Sequence, residues 1–167
     1  FFLSGCKSGG TFAEGLPFSQ QDLAFLDEVA ETIIPTTTTP GAKAAKVGEF
    51  MQVMVTDCYD EAHQKIFIKG MKTIEEAAQK QSGKDFLSSS EEQRKALLTS
   101  LDQEAKEYEK TKKKEDPAHY FTLMKQLTLL GYFTSEIGAT QALRYVAVPG
   151  KYEGCVPYKK GDKAWAT

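Results

Sequence analysis

The chain has 167 residues, the length of a single domain, and can bury about 70% of its unfolded surface around one core. Hydrophobic residues make up 41% and charged residues 26%, an ordinary globular composition that excludes collagen-like, low-complexity and disordered classes. Lys+Arg 21 against Asp+Glu 23 gives a net charge of −2, so there is no overall basic excess for nucleic acid, and no run of ~18 apolar residues is present to span a bilayer.

The chain opens Phe1-Phe2-Leu3-Ser4-Gly5-Cys6 and continues with polar, flexible Lys7-Ser8-Gly9-Gly10. An apolar run, small residues and then a processing point resemble the end of a signal peptide. More narrowly, Leu3-Ser4-Gly5-Cys6 resembles a bacterial lipobox, in which the thiol, here Cys6, takes the lipid. Two forms fit: Cys6 as a lipidated first residue, or Phe1–Gly5 retained as an apolar anchor. Both put the chain outside the cytoplasm, attached to a membrane. Residues 1–18 are therefore expected to be an N-terminal attachment segment and linker.

Ser19 with Asp22 three residues on predicts a capped helix start, and Leu23, Leu26, Ala30 and Ile33 share one helical face. Pro35 ends this helix, and Pro35-Thr-Thr-Thr-Thr-Pro-Gly41 reads as a turn-rich loop. Val47, Phe50, Met51, Met54, Val55 and Cys58 step by three and one, the spacing of an amphipathic helix that places the Cys58 thiol on the buried face. The pattern resumes at Ala62, Ile66, Gly70, Met71 and Ile74 after a break near Asp57–Glu61, and Gln81-Ser82-Gly83 ends it. Ser88-Ser-Ser-Glu-Glu92 starts a further helix lined by Leu97, Leu98, Leu101, Ala105 and Tyr108. Residues 104–116 hold five acids and five lysines, which cancel and read as a solvated helix end. Asp116-Pro117 reads as a cap and first helical residue. From Tyr120 to Phe133 the chain is apolar nearly all round, predicting a central helix buried on most sides, with Gly138 as its left-handed cap. Beyond Leu143 the period is lost, and Pro149, Gly150, Gly154, Pro157 and Gly161 alternate with Tyr145, Tyr152, Tyr158 and Trp165. The fold expected is all-α: a small helical bundle over 19–143 and an extended, irregular aromatic tail over 144–167.

Chemistry-bearing motifs are sparse. No G-x-G-x-x-G or P-loop, no C-x₂-C, no C-x-x-C-H and no H-E-x-x-H occurs. His63 and His119 lie far apart and read as satisfied or surface histidines. Glu136, after Thr134-Ser135, has no second catalytic group beside it in the sequence. No catalytic, cofactor-binding or metal-binding residue is therefore assigned. Three cysteines leave at least one thiol unpaired within the chain. Cys155, in irregular Gly154-Cys-Val-Pro157, is expected to form a disulfide, first with a partner chain and second with Cys58.

Three segments together, Glu31-Thr-Ile-Ile-Pro35 leading to Pro40-Gly-Ala42, Tyr132-Phe-Thr-Ser-Glu-Ile-Gly-Ala-Thr140, and Tyr152-Glu-Gly-Cys-Val-Pro157, resemble the gluconate 2-dehydrogenase subunit 3 family. Thr39 stands where the family often has Asp. The resemblance implies a small, non-catalytic subunit of a membrane-bound, flavin-dependent sugar or polyol dehydrogenase. FAD and substrate would sit in a large GMC-type partner subunit, and electrons would pass to a cytochrome c subunit or quinone. It also implies export on a twin-arginine signal carried by this subunit, although the sequence holds only Arg94 and Arg144 as arginines. The location implied is the bacterial periplasm, at the membrane. A free-standing periplasmic lipoprotein that binds a small ligand or an envelope partner is the competing reading. The expected docking surface is the Tyr132–Thr140 turn with the tail: Tyr132, Phe133, Glu136, Tyr145, Tyr152, Cys155, Pro157 and Tyr158.

Overall fold

The computed structural model describes residues 18–148, 150, 151 and 153–166. Among the described residues five α-helices form: α1 (Gln20–Ile33), α2 (Val47–Val53), α3 (Glu61–Ser82), α4 (Glu91–Thr111) and α5 (Tyr120–Thr134). Two π-helical turns, Met54–Cys58 and Gly138–Ala142, follow α2 and α5. Among the described residues the sole β-type pairing is one isolated bridge, between Arg144 and Trp165.

Local chemistry sets the helix ends. Ser19 Oγ accepts from the Asp22 N–H, while the Asp22 carboxylate takes the Ser19 N–H at 2.7 Å and its hydroxyl at 2.6 Å. Ser90 and Gln93 repeat this reciprocal cap on α4. The break expected near Asp57–Glu61 is the junction where the first π turn stops and Asp60 caps α3 through the His63 N–H at 2.8 Å. Gln64 Nε2 stabilises that junction by donating to the carbonyls of Val55, Thr56 and Tyr59, which the wider turn leaves open. Gly83, at φ 70°, ends α3 in the left-handed conformation that glycine adopts without steric cost.

α5 is the central helix and touches each of the other four. Its Phe121, Met124 and Leu127 meet Phe25, Leu26 and Val29 of α1, Val47 and Met51 of α2, Phe67, Met71 and Ile74 of α3, and Leu98 and Leu101 of α4 in one core. Burial of each such side chain contributes about 1.5–3 kcal/mol.

Five expectations are corrected. Phe18, assigned to the linker, is buried against Phe67 with ring centroids 6.3 Å apart, so it belongs to the core. Cys58 is exposed, because the π turn advances each residue by a smaller angle than an α-helix and swings the thiol away from the face of Val55. Pro117 does not open α5. The Asp116 carboxylate instead closes a turn on the Lys113 N–H at 2.8 Å, and the cap of α5 is His119, whose Nδ1 accepts from the Phe121 N–H. Gly138 is required for space rather than for a left-handed backbone, since a Cβ there would stand 1.8 Å from the Tyr132 carbonyl oxygen. Finally, α5, expected to be buried on most sides, keeps one apolar face open. Its neighbours pack on Phe121, Met124, Leu127, Thr128, Gly131 and Tyr132, which leaves Leu129, Leu130 and Phe133 facing solvent.

Candidate partner-binding surface

The first two sequence segments singled out above meet in space. Asp27, Glu28 and Glu31 fall together on the last turns of α1 and hold the chain between Thr36 and Gly48, Glu31 and Asp27 by its backbone and Glu28 by the Lys43 side chain. Glu31 accepts from the Thr36 N–H at 2.8 Å, the Thr36 hydroxyl at 2.7 Å and the Lys43 N–H at 2.8 Å. Burial pushes the Glu31 carboxyl up, but these hydrogen bonds outweigh it and the net shift is downward. Asp27 takes the Gly48 N–H at 2.9 Å, and there burial prevails and raises the carboxyl. Glu28 bridges Lys43 at 3.0 Å and Arg94 at 2.7 Å, joining the loop to α4. Gly41 has no room for a side chain, since a Cβ would lie 2.4 Å from the Glu31 carboxylate oxygens. From the other side, the Tyr132 hydroxyl donates to the Pro40 carbonyl at 2.7 Å.

The end of α5 leads into a second loop, built differently. Ser135 Oγ donates to the Tyr132 carbonyl at 2.6 Å and accepts from the Gly138 N–H at 2.9 Å, turning the chain into the second π turn. Arg144 then pairs with Trp165. Its N–H donates to the Ala164 carbonyl at 2.8 Å, and its carbonyl accepts from the Ala166 N–H at 2.9 Å. The Arg144 guanidinium carbon stands 3.9 Å from the centroid of the Trp165 ring, a cation–π contact. The Lys163 ammonium donates to the Gln141 carbonyl. The described residues between Arg144 and Trp165 thus form a loop tied at its neck, with a turn of its own where the Asp162 carboxylate takes the Lys159 N–H at 2.9 Å.

The sequence-predicted residues divide. Phe133 (40% exposed), Glu136, Tyr145, Cys155, Pro157 and Tyr158 (75% exposed) lie open to solvent. Tyr132 does not. It is 2% exposed, its ring is part of the core and its hydroxyl is used on Pro40, so its assignment to a docking surface is corrected to a structural one. The aromatic that it leaves at the surface is Phe133, packed edge-on against it at 5.2 Å. Cys58 and Cys155 are both free, exposed thiols, so the runner-up bridge between them is not formed. Cys6 and Tyr152 lie outside the described residues.

Sequence reasoning missed Leu129 and Leu130 as surface residues, Val53 beside them in kind, and Val146, Val148 (81% exposed) and Val156 in the loop. The valines at 146 and 148 alternate, a signal of a chain with one apolar side that the tyrosines overshadowed. The Arg144–Trp165 contact joins residues 21 positions apart in an aperiodic segment, and no sequence rule finds it.

The two histidines and Tyr120 sit in structural contacts. The His63 ring lies 2.8 Å from Asp60. His119 stacks against Tyr120 at 4.3 Å, with Nε2 3.7 Å from Glu104. Burial, reinforced by the Glu104 charge, pushes the Tyr120 hydroxyl up to about 12. Among the described residues no group of three or more His, Cys, Asp or Glu side chains could hold a metal ion, and no helix is long and apolar enough to cross a membrane.

The model of one protein family, gluconate 2-dehydrogenase subunit 3, matches residues 20–150. No match to a curated protein or to a solved structure accompanies it. The matched span runs from α1 through the Pro40–Tyr132 junction, both π turns and the start of the second loop, and Cys155 lies beyond it. With more than half of its length matched, this chain belongs to the gluconate 2-dehydrogenase subunit 3 family.

Proposed function

We propose that the chain is the non-catalytic small subunit of a periplasmic, flavin-dependent sugar or polyol dehydrogenase complex, of gluconate or glucoside type. It supports the folding, export and membrane attachment of a large GMC-type subunit that carries FAD and substrate, and a cytochrome c subunit takes the electrons onward. Family membership as a subunit of a dehydrogenase carries this reading. The buried glycines add support. Gly41, Gly48, Gly70, Gly131 and Gly138 each face an atom of this chain within 2.6 Å of where a Cβ would be, so they serve internal packing rather than the cradle of a dinucleotide phosphate. The open side chains Phe133, Tyr145 and Tyr158 are aromatic anchors of the kind that dominate interface energies. Cys6 supplies the lipid attachment, and the exposed Cys155 thiol bridges to the partner chain in the oxidising compartment.

Co-purification tests this reading. Expressed with the large subunit of its host, the chain is expected to copurify with a yellow, flavin-bearing protein, and the isolated chain to show no flavin or haem absorbance. A stable solitary monomer that leaves the large subunit behind would instead favour a free-standing lipoprotein. Mass spectrometry of the native N-terminal peptide should find lipid on Cys6, and an unmodified Cys6 preceded by intact Phe1–Gly5 rejects that part. Non-reducing peptide mapping should find Cys155 linked to the partner, and a freely alkylated Cys155 in the native complex rejects the bridge.

A further inference from the structure

The charges of this chain are not evenly spread. Residues 144–167 hold five cations (Arg144, Lys151, Lys159, Lys160 and Lys163) against two acids (Glu153 and Asp162), a net of +3. The whole chain is −2, which leaves −5 on the remainder. The basic segment is also the one with the most exposed apolar side chains, with Val148 81% and Tyr158 75% exposed and Tyr145, Val146, Val156 and Trp165 also open. It is closed rather than trailing, since the Arg144–Trp165 pair and the Lys163–Gln141 hydrogen bond tie both ends to the second π turn.

We propose that loop 145–164 is a preformed docking lobe for an acidic, partly apolar face of the large subunit, held in shape by the Arg144–Trp165 clasp. The proposal rests on the accessory-subunit reading above and names the chemistry of the surface it meets. Closing a loop of this length has an entropic cost that grows with its length, and ordering it on a partner adds to the cost of association. The clasp meets the closure cost during folding, before the partner arrives. Lys159 and Lys160 directly follow the exposed Tyr158 in the chain, so one short stretch offers an aromatic anchor and two cations. An acidic face with an apolar recess matches both features and steers encounter through opposite charge. Trp165 is half exposed and forms no part of the helical core, so its stacking on Arg144 serves the loop.

The test measures affinity for the co-expressed flavin-bearing large subunit at about 50 and 500 mM salt, where screening of exposed charges differs several-fold in range. Trp165→Ala is expected to weaken binding about tenfold at both salt concentrations while the melting temperature of the free subunit stays unchanged. The double variant Lys159→Glu with Lys160→Glu, which leaves the clasp intact, is expected to weaken binding about tenfold at low salt and to approach wild type at high salt. Wild-type binding by both variants overturns the lobe but leaves the accessory role standing. So does a charge reversal that abolishes binding to vesicles of phosphatidylserine and phosphatidylcholine, or self-association of the chain, while sparing the large subunit. A wild-type chain that does not bind the large subunit at either salt concentration overturns both readings.

Discussion

Two loops leave the helical body of this subunit, and they are held in opposite ways. The loop 34–46 is fastened along its length, by Glu31 to Thr36 and Lys43, by Glu28 to Lys43, by Tyr132 to Pro40 and, where it enters α2, by Asp27 to Gly48. The loop 145–164 is fastened at its neck, by Arg144, Trp165 and Lys163, and exposes its apolar side chains. A loop whose backbone polar groups are met by buried or half-buried side chains is part of the fold. A loop that is closed at its neck and exposes its apolar side chains has the character of an interaction surface, the role proposed for it above.

If this contrast is right, changes around the first loop should unfold the protein and changes in the second should not. Tyr132→Ala should be the most damaging, at about 4 kcal/mol in urea unfolding, because it empties a core position and frees the Pro40 carbonyl. Tyr132→Phe keeps the ring and should lose about 1 kcal/mol. Gly41→Ala should cost about 2 kcal/mol, since the added methyl displaces the Glu31 carboxylate from its donors. Glu31→Gln should cost about 1 kcal/mol near pH 7, and its pH dependence identifies the cause. Because the folded carboxyl is shifted downward, its stabilisation is present above the ordinary carboxylate range and is lost as pH falls through the folded value. The difference between wild type and Glu31→Gln should therefore narrow as pH falls below the ordinary carboxylate range, and a difference that stays constant through the acid titration would point to lost packing instead. Smallest of all, Tyr158→Ala and Trp165→Ala should move stability by less than about 0.5 kcal/mol. A loss above 2 kcal/mol from either would mean that the second loop belongs to the fold as much as the first.

Much of the bundle was legible because its signals are local. Ser19 with Asp22, Ser90 with its acids, Gly83 and the stepped apolar positions each act within one or two turns. Cys58 was misread because the helical period was extended through a turn with a different period. α5 was read as buried on most sides because composition shows how apolar a helix is, but not which of its faces find neighbours. The open apolar surface was legible as a region, the turn and tail from Tyr132 onward, but not residue by residue. Tyr132 and Phe133 are adjacent and chemically alike, and only the packing of α5 sends one into the core and leaves the other outside. Glu31 was noticed as part of a familiar segment, while its work as the anchor of loop 34–46 depends on a chain reversal that brings Thr36 and Lys43 back over α1.

The central claim, that the body is complete without the second loop and that the loop serves a partner, is tested most directly by removing residues 145–167. The truncated subunit, co-expressed with the large subunit, would be followed by helical circular dichroism and by copurification of flavin. The account predicts a helical subunit whose melting temperature lies within a few degrees of the full chain and which no longer retains the large subunit. A truncated chain that melts as a molten bundle, or one that holds the large subunit with unchanged affinity, would contradict it.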